Sequence, residues 1–204
     1  MSGIVAQNIN RQSGLIKAPE GGGAWTFISK TTASASATIS ITSGLDSTYK
    51  EYLFTFKNIH PASGGYFLFN GSTDSGSNYN VNATSTWFVA GHQENGTNGA
   101  LSYDGGNDVA NGTDINLSYY LDTAADDNFS GYLHLFEPSS TVHVKHFIMT
   151  GNTVKGLTNM ASNNTFVAGY LNTTSAVDAI QFKMSSGNTD VGDVCLYGLT
   201  IWVE

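Results

Sequence analysis

Asp178-Ala179-Ile180-Gln181-Phe182-Lys183-Met184-Ser185 is the stretch that decides the fold of this chain. Apolar side chains at Ile180, Phe182 and Met184 alternate with polar ones, which is the period of a β-strand with one face buried and the other in water. A helix would need apolar residues that recur at positions i, i+3, i+4 and i+7, and this stretch does not sustain that pattern. It therefore predicts a strand that packs one face against a core.

The same alternation recurs along most of the chain. In Glu51 to Ile59, Tyr52, Phe54 and Phe56 face one way, and Pro61 ends the run because proline cannot donate to a strand ladder. Glycine, asparagine and serine clusters separate the runs, as in turns. Further strand-like runs lie at Ala24 to Ile28, Ser36 to Thr42, Tyr66 to Asn70, Thr84 to Ala90, Asp114 to Leu121, Phe129 to Phe136, Thr141 to Met149, Thr165 to Leu171 and Asp193 to Val203.

Roughly ten short strands without a sustained helical period predict an all-β domain, a two-sheet antiparallel β-sandwich that is jelly-roll-like. Another two-sheet topology, such as a lectin-type sandwich, fits the same spacing, and spacing does not separate the two. No linker interrupts the body, so we assign residues 25–204 to one sandwich domain.

The segment before the body, residues 1–24, has a different character. Ser2-Gly3-Ile4-Val5 returns as Ser13-Gly14-Leu15-Ile16, and the consecutive glycines Gly21 to Gly23 allow a hinge just before the domain. The stretch is too polar and glycine-rich to fold alone, so its aliphatic pairs need a surface outside it. We predict an N-terminal arm that binds a partner through Ile4, Val5, Arg11, Leu15 and Ile16.

Composition excludes several classes of protein. The net charge is −8 and only 12% of residues are charged, so the chain lacks the clustered cations that bind nucleic acid or an anionic membrane surface. Cys195 is the single cysteine, which rules out an intramolecular disulfide scaffold, and its apolar neighbours predict a buried core position. With no basic, apolar leader and no membrane-length apolar run, we expect synthesis in a cytoplasm.

The chain offers no recognisable catalytic set. Serines stand outside any nucleophile elbow, and no pair of carboxylates is singled out for glycoside hydrolysis. His143 and His146 are three residues apart on a predicted strand and so point to opposite faces, although His134 could pair across strands with one of them. Asp74 to Asn78 and Asp104 to Asp108 supply oxygens, yet these residues also favour turns. We predict no enzyme activity, no metal site and no cofactor.

Aromatic residues beside long polar loops raise a second kind of function. Tyr79, Trp87 and Tyr103 lie in or next to loops rich in Asn, Asp and Gly. A ring exposed among amides and carboxylates can stack on a sugar while the polar groups bond its hydroxyls. Rings at such places also pin loops onto a sheet. These three residues are the candidates for glycan binding.

Several stretches of the chain share one pattern of composition: the arm, Ser36 to Tyr49 leading into Tyr52 to Pro61, Val144 to Phe147, Phe166 to Tyr170 and Thr174 to Met184. Together they resemble structural proteins of tailed bacteriophages, particularly phages of marine and freshwater bacteria. The resemblance covers most of the chain and implies a component of the virion, at the surface of the head or tail.

From this resemblance and the arm we predict a capsid decoration protein that docks on the major capsid protein or another virion protein and is made in the host cytoplasm. Because linked arms gain effective concentration, we expect a homo-oligomer, namely a trimer. The alternative is a tail or fibre module that recognises a host surface glycan.

Overall fold

A computed structural model of the protein describes residues 24–97, 99–155 and 160–199. These residues form thirteen β-strands, and all strand pairs are antiparallel. The strands are β1 (Trp25–Ser36), β2 (Ile39–Ile41), β3 (Glu51–Pro61), β4 (Phe67–Ser72), β5 (Ala83–Gln93), β6 (Ala100–Tyr103), β7 (Val109–Gly112), β8 (Ile115–Asn116), β9 (Phe129–Phe136), β10 (Lys145–Lys155), β11 (Ala161–Leu171), β12 (Ala179–Met184) and β13 (Thr189–Leu199).

The strands form two sheets of unequal size. The large sheet has nine strands in the order β1-β13-β3-β9-β10-β11-β5-β6, with β7 also paired to β5, and the small sheet has four in the order β2-β12-β4-β8. Without β5, β6, β7, β10 and β11, the remaining eight strands run first-eighth-third-sixth in one sheet and second-seventh-fourth-fifth in the other. That is the strand order of a jelly roll, which confirms the predicted sandwich. The other five strands widen the large sheet.

The core lies between the two sheets and is dominated by aromatic rings. Phe182 of β12 meets Phe54 at a ring-centroid distance of 5.4 Å and Phe56 at 5.1 Å, and it stacks on Phe67 at 5.6 Å. Edge-to-face and offset contacts of this kind add to the burial of apolar surface. The predicted inward positions Tyr52, Phe54, Phe56, Ile180, Phe182 and Met184 are all buried.

The widened part of the large sheet is covered by the chain segment that follows β8 and in part by the small sheet, whose Phe69 ring lies 5.0 Å from that of Phe147 in β10. In this segment Leu117 and Leu121 are fully buried, and Tyr119 packs its ring 6.2 Å from that of Trp87. The hydroxyl of Thr165 in β11 donates to the carbonyl oxygen of Leu117 at 2.9 Å. These contacts position β10, β11 and β5 beside the jelly roll in one continuous sheet.

Two glycines make room for the core at the centre of the large sheet. Gly131 of β9 and Gly151 of β10 are directly paired across the strands. A Cβ at Gly151 would collide with the ring of Phe129, and one at Gly131 would collide with the Gly151 backbone. The absence of a side chain at Gly151 therefore leaves the space that the Phe129 ring occupies, and its absence at Gly131 allows the two backbones to approach.

Most predicted strands coincide with strands of the structure, although β6 and β7 lie where no strand was predicted. The run predicted from Asp114 to Leu121 is a strand only at Ile115–Asn116, with one further bridge between Leu121 and Gly65, since most of it serves as the covering segment. The run predicted from Thr141 begins at Lys145, because the preceding loop folds around the Lys145 ammonium group. Cys195 is half-buried on the outer side of β13, between buried Val194 and Leu196, so the expectation that it is a core residue was wrong.

Candidate interaction surface on the large sheet

Exposed apolar side chains concentrate on the outer face of the large sheet, the side turned away from the core. Cross-strand pairing arranges this face in rows, one of which runs Phe27, Tyr197, Leu53, His134, Ile148, Ala168 and Thr86. The next row runs Cys195, Thr55, Tyr132, Thr150, Phe166, Phe88 and Tyr103. Seven of the large hydrophobic residues most exposed among those described belong to this face: Trp25, Phe27, Phe88, Leu101, Tyr103, Tyr132 and Ile148.

The outer face of the small sheet provides an internal contrast. Ser40 and Gln181 are paired across its strands, and the Gln181 amide donates to the Ser40 hydroxyl at 3.1 Å. Lys183 forms an ion pair with Asp114 at 3.1 Å. This face carries the polar side chains expected where an antiparallel sheet meets water. The outer face of the large sheet differs, because exposed aromatic and aliphatic side chains lie among its polar ones, such as Thr55 and Thr150.

Three aromatic rings of the outer face, those of Trp25, Tyr132 and Phe136, lie around the His134 ring, and we call these four rings the ladder. The His134 ring lies 5.6 Å from Trp25, 5.6 Å from Tyr132 and 6.2 Å from Phe136. Its Nδ1 atom is 2.5 Å from Oε1 of Glu51, so the carboxylate fixes the orientation of the imidazole. The ladder is thus held in place before any partner arrives, which lowers the entropic cost of binding.

A shallow depression of about 490 Å³ lies beside the ladder on the same face. Its floor is Ala168 of β11, a small residue between the larger Phe166 and Tyr170. Ile148, with 52% of its surface exposed, and His146 form one wall. Thr84 and Thr86 of β5 form the other. The surface of the depression is mainly apolar, and its outward-facing polar groups are the hydroxyls of Thr84, Thr86 and Tyr170 and the His146 imidazole.

At one end of β10, Lys145 fastens the loops that border the outer face. The residue is fully buried, and its ammonium group donates to the carbonyl oxygens of Ser140 at 2.6 Å, His143 at 2.8 Å and Thr173 at 3.1 Å. Burial lowers the pKa of Lys145 below that of a free amine, while the three carbonyls hold the proton. The lysine thereby ties the β9–β10 loop to the β11–β12 loop.

The structure separates the three residues predicted for glycan binding. Trp87 is fully buried on the inner face, so its ring is not available to a ligand and that prediction is corrected. Tyr79 is half-buried, with its hydroxyl packed against Gly76 in its own loop. Tyr103 is 58% exposed at the end of the outer face, where its hydroxyl bonds to Asp108, which raises the pKa of the Tyr103 phenol. Tyr103 alone keeps the geometry expected for stacking on a sugar.

The acidic loops use their carboxylates for local hydrogen bonds. Asp74 accepts bonds from the Ser72 hydroxyl at 2.7 Å and from the backbone and side-chain amides of Asn78 at 2.8 and 2.7 Å. Bonds from Asn78 and Ser72 lower the pKa of Asp74 to about 2. Asp104 similarly accepts from the Gly106 amide at 2.9 Å and the Asn107 side chain at 2.7 Å. Turn formation, rather than cation binding, accounts for these residues.

The histidines are spread over different environments. His143 lies in the loop before β10, His146 on the outer face of β10, and His134 is engaged by Glu51. Among residues 24–97, 99–155 and 160–199, no group of three or more His, Cys, Asp or Glu side chains is arranged to hold a metal ion. The predicted arm residues Ile4, Val5, Arg11, Leu15 and Ile16 lie outside the described residues.

In comparisons with protein families, curated proteins and solved structures, no family model, protein or structure matches this chain. Inferences about function therefore depend on the residues and on the geometry of the outer face. In the described part of the chain there is no helix of the length and apolarity needed to span a membrane.

Proposed function

We propose that this protein is a non-enzymatic structural component of the virion of a tailed phage, a capsid decoration protein that docks through its N-terminal arm and forms a homotrimer. The observation that carries the proposal is the contrast between the two outer faces. The small sheet presents polar side chains to water, whereas the large sheet presents Phe27, Tyr132, Ile148 and Phe88. A domain with one polar outer face and one outer face rich in exposed apolar side chains is suited to assembly with other proteins.

The arm supplies attachment in this proposal. Burying one aliphatic side chain such as Leu15 in a groove contributes about 1.5–3 kcal/mol. Ordering the backbone costs about 1–2 kcal/mol per residue, so a single arm binds weakly. Linking several arms in one oligomer raises the effective concentration of each and makes the attachment stable. This reasoning favours an oligomeric decoration over a monomeric one.

The experiment compares how densely phage particles are coated by the full-length protein and by a variant with Leu15→Asn and Ile16→Asn. Both changes leave the charge of the arm unaltered and remove one apolar pair. We expect occupancy on stripped particles, counted by quantitative mass spectrometry, to fall about 10-fold or more. The matched control is Gln12→Ala, a polar position between the pairs, which leaves occupancy unchanged.

Wild-type occupancy by the doubly substituted variant, with circular dichroism unchanged, refutes docking through this apolar pair. Deleting residues 2–18 extends the same test to the whole arm. A deleted protein that still coats particles as densely as wild type removes the arm from the mechanism altogether.

A second candidate function is recognition of a host surface glycan, and the exposed ring of Tyr103 favours it. Replacing Tyr103 with Ala would abolish binding to host polysaccharide, whereas Tyr79→Ala would leave it intact because the Tyr79 ring packs against its own loop. A glycan array distinguishes the two outcomes. Equal loss from both variants, or binding by neither the wild type nor the variants, excludes a Tyr103-based glycan site.

A further inference from the structure

The outer face of the large sheet has the size of a protein interface. Eight adjacent strands span seven strand spacings of about 4.8 Å. Three rows of side chains about 7 Å apart, the two described above and a third through Trp25, Glu51 and Phe136, give the face a total area of about 700 Å², polar side chains included. A standard protein–protein interface buries about 800 Å² on each partner. The outer face is therefore large enough to form most of a stable interface.

We propose that a second copy of this chain packs on the outer face of the large sheet, around Ile148, Tyr132 and the Ala168 depression. The inference rests on the homo-oligomer of the proposed function, to which it assigns a surface. It does not require that this oligomer be part of a phage particle.

The distribution of charged groups favours contact between two copies of the chain at the outer face. Each chain carries a net charge of −8, so most approaches between two copies are repulsive. On the outer face the Asp193 carboxylate is paired with the Lys30 ammonium at 2.9 Å, and the Glu51 carboxylate is hydrogen-bonded to the His134 ring at 2.5 Å. These two carboxylates keep a partner within their own chain when two such faces come together.

The shape of the outer face, with ridges beside a depression, also suits packing against a protein surface. The stacked rings of Phe88 and Phe166, 4.8 Å apart, and the exposed Tyr132 and Ile148 form ridges around the depression floored by Ala168. Ridges next to a depression allow side chains of one copy to enter the space left by the other. Aromatic residues at the centre of such a patch carry most of the binding energy in protein interfaces.

The chemistry of the depression distinguishes a protein partner from a sugar. Among its lining residues, Thr84, Thr86, His146 and Tyr170 carry polar side-chain atoms on the outer face, and no carboxylate or carboxamide lines it. A sugar brings many hydroxyls that lose their water and need partners. An apolar surface from another copy makes no such demand.

The test is sedimentation velocity of the full-length protein over a range of concentrations from low to high micromolar. We expect the wild type to sediment as an oligomer of 21.6 kDa chains. Ile148→Asp places a charge at the centre of the face and raises the dissociation constant by about 100-fold. The matched control, Ser40→Asp, adds the same charge to the outer face of the small sheet and leaves the oligomer intact. Far-ultraviolet circular dichroism verifies that both variants fold.

A wild-type protein that is monomeric at every concentration overturns the proposal without requiring any variant to fold. Equal dissociation by Ile148→Asp and Ser40→Asp also overturns it, since the effect then reflects charge alone. If the arm variant Leu15→Asn with Ile16→Asn becomes monomeric while Ile148→Asp stays oligomeric, the arm rather than the outer face joins the copies. An oligomer that is intact but fails to coat phage particles contradicts the proposed function and leaves this inference standing.

Discussion

Replacing Lys145 with Met tests whether this buried ammonium group holds two loops together. Methionine keeps the length and the apolar stem of the side chain and removes its charge and its three donors. Lys145 is fully buried and donates to the carbonyls of Ser140, His143 and Thr173 at 2.6, 2.8 and 3.1 Å. The variant leaves all three acceptors without that partner.

The expected loss in the free energy of unfolding follows from these contacts. Hydrogen bonds to a charged group each contribute about 1.5–3 kcal/mol, so three give about 4.5–9 kcal/mol. The wild type also bears a desolvation cost of several kcal/mol for burying the ammonium, which the variant avoids. Water can reach the exposed end of the loop at His143 and replace part of what is lost. We expect a net destabilisation of about 3 kcal/mol.

Urea unfolding followed by tryptophan fluorescence measures this loss, with all proteins at one concentration because oligomers make stability depend on concentration. The matched control is Lys155→Met at the other end of β10. The Lys155 ammonium lies over the rings of Tyr119 and Tyr120, at 5.3 and 4.9 Å from their centroids. Its removal costs about 0.5–1 kcal/mol.

The reasoning about Lys145 is refuted if Lys145→Met loses less than about 1 kcal/mol, or no more than the Lys155 control. Amide hydrogen exchange gives an independent check. Protection of residues 138–144 and 172–177 falls in the Lys145 variant alone if the lysine joins these loops, and it stays unchanged if the lysine only fills space.

Two further predictions concern a loop and the sheet centre. The pKa of Asp74 is lowered to about 2 by bonds from Asn78 and Ser72, so its contribution to loop order is present above the unfolded value near 3.8 and is lost as the pH falls through about 2. Carboxyl carbon shifts in an NMR titration check this midpoint, which Asn78→Ala moves upward; an unmoved midpoint contradicts the assignment. Gly151→Ala forces a Cβ into the Phe129 ring and destabilises by about 1–3 kcal/mol or more, whereas Gly105→Ala, where a Cβ meets open space, is near neutral. Equal midpoints in urea for the two alanine variants exclude the steric reason.

The sequence predicts the architecture well where one face of a strand is buried and the other is exposed to water. In Ile180, Phe182 and Met184 the period of two identifies both the strand and its buried side, and the structure confirms it. The length of pairing is harder to read, because strand ends depend on neighbours that are distant in the chain. Ile115–Asn116 pairs for two residues only, since the following residues cover the widened sheet instead.

The outer face of the large sheet was not predicted as a site, although the sequence contains a pattern that indicates it. In Tyr132-Leu133-His134-Leu135-Phe136 and in Phe147-Ile148-Met149, apolar or aromatic residues occupy both sides of the strand. Such runs indicate burial on both faces. Assigning most aromatic residues to the core hides this second meaning. Trp87 illustrates the converse error, because its position beside a polar loop does not reveal that its side chain points inward.

The place of β13 between β1 and β3 has a consequence for how the protein is made. β13 comes after every other described strand along the chain, and it pairs with Trp25–Ser36 on one side and Glu51–Pro61 on the other. Until Thr189–Leu199 emerges, both earlier strands display unpaired backbone, the kind of edge that recruits strands from other chains. Synthesis that stops before β13 therefore yields an aggregation-prone fragment rather than a smaller domain. Slow formation of this long-range strand pairing is expected to limit the rate of folding.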